Sequence, residues 1–266
     1  MQEWVHYLSL GAATGLLAGL FGVGGGLIIV PALVFIWTAA QPSIPAEALM
    51  HVAIGTSLAA IVPTSIASIW GHQRRGAILW SVWRRLGPAI VLGTLGGAWF
   101  AAQLDTTVLR YVFAIFMLTM SLQIAFGLMP RVAHGAGHLE RGLAGIAGSV
   151  IGFVSALVGI GGGSLTTPFL LARGIAIRNA IATSAACGLP IALAGSAGYI
   201  LMGTVGAHHL PEAASGYVYW PAMLAIGASS MLTAPLGAQL THILPVGLLK
   251  RLFALLLAVV AVRLLT

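Results

Sequence analysis

The sequence predicts an all-α polytopic membrane protein made of two inverted repeats, each with a glycine-broken helical segment followed by three transmembrane helices. Three observations support this fold class. Of the 266 residues, 59% are hydrophobic and 6% are charged, whereas about a quarter of the residues in an ordinary soluble domain are charged. One glycine-rich apolar segment occurs twice. The basic residues gather in a few loops, as they do in cytoplasmic loops of membrane proteins.

The repeated segment opens each half of the chain. Residues 15–31 and 152–168 align without a gap, the second copy starting 137 residues after the first. Backbone that leaves a helix in hydrocarbon must find hydrogen bonds in protein or in a wet cavity, so matched glycine breaks indicate a polar binding site and a secondary carrier. The aligned landmarks are Gly15, Gly22, Gly24, Gly25, Gly26 and Pro31 in the first copy, and Gly152, Gly159, Gly161, Gly162, Gly163 and Pro168 in the second.

Apolar runs of about 20 residues, long enough to span a bilayer, complete each repeat. The N-terminal repeat covers 1–130, with the broken segment 7–37 and spans near 47–70, 84–102 and 108–127. Residues 131–141 form a linker. The C-terminal repeat covers 142–266, with the broken segment 142–172 and spans near 180–201, 218–240 and 246–265. The N-terminus lacks the basic start of a secretory signal, so we expect its apolar segment to be retained.

Each broken segment can be a helix that crosses the membrane or a re-entrant hairpin. An arm of about 15 residues reaches about 22 Å, less than the hydrocarbon core of about 30 Å. If both segments re-enter, six crossings place ten of the twelve Lys and Arg residues inside, whereas eight crossings place only seven there. Because basic residues collect on the cytoplasmic side, the charges favour re-entry, with both termini outside and the second half inverted relative to the first.

The glycine clusters are the main candidates for a substrate site. They let the backbone turn and expose consecutive N–H groups, and a half-helix that starts there adds its positive end, so the site favours an anion. The alternative is close helix packing, which we favour for the scattered Gly93, Gly96 and Gly97. The candidate substrate-binding residues in the two clusters are Gly22, Gly24, Gly25, Gly26, Gly159, Gly161, Gly162, Gly163 and Ser164.

Hydroxyl pairs at matching positions are further candidates. Thr56-Ser57 and Thr183-Ser184 begin the spans that follow the broken segments. These hydroxyls can donate to an oxyanion or bond back to a carbonyl one turn earlier. Since no Asp or Glu lies clearly within a span, His51 and His72 are the candidate coupling residues, with a structural role as the alternative.

The partners follow from the same observations. We expect a small anionic substrate and the lipid bilayer, without a nucleic acid, a metal or a cofactor. A homodimer is compatible with the sequence, but no feature requires one. The location is the cell membrane, with several crossings.

At these residues the chain resembles the TauE/SafE family of sulfite exporters and related carriers of sulfur-containing anions. The resemblance lies in Gly22-Val23-Gly24-Gly25-Gly26 with Pro31, in Gly159-Ile160-Gly161-Gly162-Gly163 with Pro168, and in Gly55-Thr56-Ser57 with Ala182-Thr183-Ser184. It covers nearly the whole chain, although Ala182 replaces the glycine of the first half. The resemblance implies transport of a small anion, with sulfite or a sulfonate as the first expectation.

The sequence therefore predicts a secondary anion carrier that works by alternating access, exports its substrate and couples transport to protons. A channel-like facilitator, or a carrier of another small anion such as a carboxylate, is the alternative. A sensor or assembly subunit is a further class. An intramembrane hydrolase with Ser164 as nucleophile is disfavoured, because a nucleophile needs a base within hydrogen-bond reach and the spans of the second half contain no histidine.

Overall fold

The computed structural model describes residues 2–21, 25–40, 44–127, 140–206, 210–240 and 246–265. Within them lie ten α-helices, a short 3₁₀ turn at Ala46–Ala48 and one two-stranded hairpin, which confirms the expected all-α polytopic class. Most of the expected linker 131–141 is outside the described residues. The first half contains α1 (Gln2–Phe21), α2 (Gly26–Ala40), α3 (Leu49–Arg74), α4 (Trp80–Ala101) and α5 (Thr106–Ala125); the second contains α6 (Arg141–Val158), α7 (Gly163–Ala172), α8 (Ile177–Gly206), β1 (Ala214–Ser215), β2 (Val218–Tyr219), α9 (Trp220–Leu240) and α10 (Val246–Leu265).

Four helical stretches of the described chain are long and apolar enough to cross a membrane: Ala46–Arg74, Thr106–Ala125, Arg141–Val158 and Ile177–Val205. The arms before the glycine clusters are longer than the sequence suggested, because α1 has 20 residues and α6 has 18. At about 1.5 Å per residue α6 reaches about 27 Å, whereas the 10 residues of α7 reach only about 15 Å. Re-entry of the broken segments stays a prediction.

Two glycines in left-handed conformation turn the chain between α6 and α7. Gly159 ends α6 with a φ of 70°, and its N–H and that of Ile160 donate to the Ser155 carbonyl at 2.8 and 3.1 Å. Gly162, with a φ of 74°, precedes α7, and its carbonyl accepts the Thr166 N–H at 2.8 Å. Residues with a Cβ rarely adopt such φ values, so this turn depends on glycine.

The helices pair in the same order in both halves. α1 packs along α9, and its counterpart α6 packs along α4. The other two large pairs join equivalent helices, α3 with α8 and α5 with α10. α3 and α8 run antiparallel, since Leu58 lies against Gly195 and Ser65 against Gly188. Each half therefore completes its core with helices of the other half.

Glycines let α4 and α6 approach closely, as we expected for the scattered glycines. A Cβ on Gly93 would overlap the Ser149 carbonyl, and one on Gly97 would lie 2.9 Å from the Ala156 Cβ. Gly96 is different, because no atom lies within 4 Å of its Cβ position. Small residues permit this kind of contact between membrane helices.

We predict that Gly93→Ala destabilises the protein and that Gly96→Ala on the same helix does not. The added methyl at position 93 meets backbone, so overpacking costs about 1–3 kcal/mol, whereas at position 96 alanine raises helix propensity by up to about 1 kcal/mol. Thermal unfolding of both variants in detergent tests this. Equal unfolding temperatures would contradict the packing described for α4 and α6.

Candidate functional site

The start of α2 meets the second glycine break in the interior. The first break is residues 22–25, between α1 and α2, and the second break is Gly159–Gly162, between α6 and α7. Gly26, the first residue of α2, faces the Gly159 carbonyl so closely that a Cβ would overlap it. The Cγ2 atom of Val30 lies 2.9 Å from the Cβ position of Gly159. The start of α2 therefore rests on the turn that ends α6.

Part of the first break is visible. The Gly25 carbonyl accepts the N–H groups of Ile28 and Ile29, both at 3.0 Å, and so starts α2. The predicted site residues Gly22 and Gly24 lie outside the described residues. The geometry of the site is therefore known best around the second break.

α3 and α8 enclose the second break. The Ser57 hydroxyl donates to the Gly159 carbonyl at 2.9 Å. Two turns later on α3, the Ser65 Oγ lies 3.2 Å from the Cβ position of Gly188 on α8. The same Cβ position is 2.8 Å from the Gly161 carbonyl. Glycine at 188 thus lets α8 approach the exposed backbone of the turn.

Three backbone donors at this turn have no partner among the described residues. The N–H groups of Gly161, Gly162 and Gly163 have no hydrogen-bond acceptor among the described residues, although residues 159–164 are all buried. The start of α7 also carries the positive end of the helix dipole, equivalent to about half an elementary charge. Buried donors without acceptors are rare in proteins, and together with a helix start they form a site suited to an anion.

Three buried hydroxyls nearby are also unpartnered: Ser155, Thr166 and Ser184. Their side chains are 0%, 0% and 1% exposed. The Thr166 Oγ1 lies 3.5 Å from the Cβ position of Gly162 and so faces the turn. Ser155 is in the last turn of α6, and Ser184 lies one turn before Gly188 on α8. The Thr166 hydroxyl can donate to the same ligand as the N–H groups of Gly161–Gly163.

The hydroxyls of Thr56 and Thr183 accept hydrogen bonds from backbone N–H groups. The Thr56 Oγ1 accepts the N–H of Tyr219 at 3.0 Å, and the Thr183 Oγ1 accepts the N–H of Leu79 at 3.0 Å. Tyr219 and Leu79 directly precede α9 and α4. The equivalent threonines thus anchor equivalent helix starts in opposite halves. Their predicted role in substrate binding stays a prediction, and the structure gives both an anchoring role.

The hairpin plug, residues 214–219, closes one end of the α3–α8 pair. Its Tyr217 donates its N–H to the Tyr199 carbonyl at 3.2 Å and stacks on the His51 ring at a centroid distance of 5.0 Å. Burial raises the pKa of the Tyr217 phenol, so the side chain stays neutral. A Cβ on Gly55 would overlap the Tyr217 carbonyl, which explains why glycine is needed at this position.

The loop plug, residues 75–79, closes the opposite end. The Asn179 side chain donates to the Ala77 carbonyl at 2.9 Å, and Arg178 donates to the Arg75 carbonyl at 3.0 Å. Ala182, the counterpart of Gly55, is fully buried in a cluster with Ala77. The methyl group of Ala182 fills space here, so the departure from the glycine of the first half has a packing reason.

The two candidate coupling histidines lie at opposite ends of α3. His51 Nε2 is 3.1 Å from the Ala101 carbonyl and Nδ1 is 3.5 Å from the Thr106 hydroxyl, so both ring nitrogens have neighbours. It lies six residues before Ser57, about 9 Å along the helix axis. His72 is in the last turn of α3, beside the loop plug. A role in coupling stays a prediction for both.

The two ends differ in the balance of their charges. Acidic residues predominate around the hairpin plug and arginines around the loop plug, whereas the helices between them bring no charge to the second break. Among the described residues, no group of three or more His, Cys, Asp or Glu side chains is placed to hold a metal ion. The charges are Glu3, Glu47, Asp105, Glu212 and Arg110 at the hairpin end, and Arg74, Arg75, Arg84, Arg85, Arg141, Arg178 and Glu140 at the loop end.

Comparison with known proteins decides the family. The family model described as "Sulfite exporter TauE/SafE" matches residues 7–264. The chain belongs to the TauE/SafE family. A "Probable membrane transporter protein" of Haemophilus influenzae is 40% identical over 256 residues, which is 96% of each chain. Another of Methanocaldococcus jannaschii is 27% identical over 88% of this chain and 84% of its own. No solved structure matches the chain.

These comparisons make the protein a membrane transporter of the TauE/SafE family. The resemblance inferred from the two glycine clusters is confirmed. Within this family member, sequence reasoning missed Ser65, Ser155, Thr166 and Gly188. Thr166 had a detectable signal, because it lies in the first turn of a helix that starts at a glycine cluster. Ser65 and Gly188 had none, since only the crossing of α3 and α8 brings them together.

We predict that Ser57→Ala destabilises the protein and that the equivalent Ser184→Ala does not. The first change leaves the buried Gly159 carbonyl without its donor, at a cost of about 1–3 kcal/mol. The second removes a hydroxyl that has no partner. Thermal unfolding of the two variants without substrate makes the comparison, and a larger loss for Ser184→Ala would show that the hydrogen bonds of the two positions are assigned wrongly.

Proposed function

We propose that this TauE/SafE member is a secondary transporter that carries a small sulfur oxyanion, sulfite or an organosulfonate, across the cell membrane by alternating access. The observation that carries the proposal is the buried start of α7, where the N–H groups of Gly161–Gly163, which have no acceptor within the described chain, lie beside the unpartnered Thr166 hydroxyl. An oxyanion offers the acceptors that these donors lack.

The second half supplies most of the binding groups in this proposal. Ser164 and Thr166 in the first turn of α7 align with Leu27 and Ile29 in the first turn of α2. The first half contributes Gly26, whose close approach holds the turn, and Ser57, which fixes the Gly159 carbonyl. We therefore expect one anion site per chain, on the α7 side of the contact between the breaks.

Alternating access is supported by the two plugs. Both ends of the α3–α8 pair are closed, one by the hairpin plug and the other by the loop plug, each anchored by a threonine of the opposite half. If one plug moves away while the other stays, the site opens to one side only, as carriers built from inverted repeats require. A continuously open channel fits this closed arrangement less well.

Export is supported by the charges of the two ends. The arginines around the loop plug support a cytoplasmic location for that end by the positive-inside rule, in an arrangement with six crossings and both termini outside. A basic mouth attracts anions and raises their local concentration. The acidic residues at the hairpin end repel them. We therefore infer that anions enter from the cytoplasm and leave at the hairpin end.

An enzymatic role has less support. A serine nucleophile requires a neighbouring base, and the helices α6, α7 and α8 contain no histidine to serve as one for Ser164. The relatives are named as transporters.

The test is anion flux into proteoliposomes that contain the purified protein, with sulfite, thiosulfate, sulfate and a two-carbon sulfonate, with and without a pH gradient. We predict saturable flux of a sulfur oxyanion and an about tenfold loss or more in Thr166→Val, because a hydrogen bond to a charged group contributes about 1.5–3 kcal/mol. Thr119→Val is the matched control, since its exposed hydroxyl bonds to the Phe116 carbonyl within α5. Undiminished flux in Thr166→Val would remove this hydroxyl from the site.

A second prediction concerns the turn itself. Gly162→Ala should abolish flux, because the added Cβ would overlap Ile191 and the φ of 74° strains any residue other than glycine. Gly127→Ala is the control, with a φ of 62° and no atom within 4 Å of its Cβ position, so it carries the backbone strain without the contact. Both variants must insert and remain monodisperse in detergent. Equal flux in the two variants would show that transport does not depend on the turn at Gly162.

A further inference from the structure

Among the described residues, the helices around the second break carry their charged side chains near the helix ends. α4, which packs on α6 and α8, has Arg84 and Arg85 near its start, beside the loop plug. α7 contains no charged residue, and Arg173 follows it at its C-terminal end, about 15 Å along the axis from the free N–H groups. On α3 and α6 the nearest charges are Arg74 and Arg141, at the helix ends remote from the break. On α8 the charge is Arg178, in the first turn beside the loop plug. α2 carries none.

Neutral groups therefore have to balance any anion held there. The contributions are the backbone donors at Gly161–Gly163, the dipole of a single helix and the hydroxyls of Ser155, Thr166 and Ser184. The helix start is equivalent to about half an elementary positive charge. The desolvation cost of an ion grows with the square of its charge, so a second negative charge raises that cost about fourfold. The attraction to fixed donors and to the helix dipole grows only in proportion to the charge, about twofold.

We propose that the transported species carries one negative charge and that dianions are excluded from the site. This inference rests on the proposed function and specifies its substrate class: a monoanion with sulfur-bound oxygens, such as hydrogen sulfite or a sulfonate. For sulfite, the dianion must gain a proton before it binds. The proton then travels with the substrate, and no side chain has to release or accept it.

The protein offers no titrating group at the site that competes with this explanation. The titratable groups on the helices packed around the break are His51 and His72 near the ends of α3, and Cys187 and Tyr199 on α8. The Tyr199 hydroxyl donates to the Ala156 carbonyl at 3.0 Å, and Cys187 is fully buried. Thiols and phenols are ordinarily uncharged near neutral pH.

The hydroxyls also suit a protonated oxyanion. A backbone N–H can only donate, whereas a serine or threonine hydroxyl can donate and accept. The unpartnered hydroxyls can thus accept from the O–H of a hydrogen anion while the free N–H groups donate to its other oxygens. A sulfonate, with no proton to offer, uses the same groups as donors alone.

The experiment uses two probes of nearly equal shape as competitors of sulfite flux in proteoliposomes. Methanesulfonate carries one charge at every pH tested. Methylphosphonate gains a second charge as the pH rises through neutrality. The quantity compared is the inhibition constant, measured with sulfite well below its KM. We expect that of methanesulfonate to be independent of pH, and that of methylphosphonate to rise about tenfold for each pH unit above its second pKa, as the monoanion fraction falls. At every pH sulfate should inhibit at least tenfold less well than methanesulfonate.

Sulfate or dianionic methylphosphonate that inhibits as well as methanesulfonate would overturn the inference and leave anion transport established. If inhibition by methanesulfonate changes with pH as strongly as that by methylphosphonate, a protein group titrates, and the inference is also wrong. Absence of flux for sulfite, thiosulfate, sulfate and the sulfonates would overturn the proposed function, and the charge selectivity with it. The His51→Gln variant adds a readout: we expect its pH profile of sulfite flux to match that of the wild type.

Discussion

The structure depends on hydrogen bonds for backbone that leaves a helix inside an apolar core. The second break leaves a helix, turns twice in left-handed glycine conformations and starts a new helix within four residues. Water cannot reach this backbone, because residues 159–164 are buried. The protein therefore supplies partners from the other half: Ser57 donates to the Gly159 carbonyl and α2 packs on it through Gly26. The N–H groups of Gly161–Gly163, which have no acceptor among the described residues, form the candidate site.

The same constraint joins the two halves. Thr183 of the second half anchors the start of α4, and Thr56 of the first half anchors the start of α9. α1 packs along α9, and α6 packs along α4. A half alone would expose these contacts, so the halves form one structure. Hydrogen bonds of this kind are few and local, which allows one plug to move without unfolding the helices. The glycine contacts between α4 and α6, in contrast, fix a rigid pair.

The absence of charge from the centre has a functional consequence as well as a structural one. A buried arginine would hold an anion more firmly but would be costly when the site is empty. Neutral donors avoid that cost and release the ligand more easily. The charged residues instead lie at the ends, where they are hydrated. In the proposed function they attract anions on one side and repel them on the other, so the groups that attract the anion differ from those that bind it.

The sequence by itself determined the membrane class, the doubled glycine motif and the family, because these depend on composition and on local backbone requirements that glycine alone meets. It also identified Ser57 and Ser184 as equivalent residues. Only the tertiary structure decided that Ser57 is bonded and Ser184 is not, that Thr56 and Thr183 anchor helix starts, and that Ser65 and Gly188 border the turn. These facts follow from the way in which α3 and α8 meet each other and the segments before α4, α7 and α9. Contacts between residues about 100 or more positions apart leave no periodic signal in the chain.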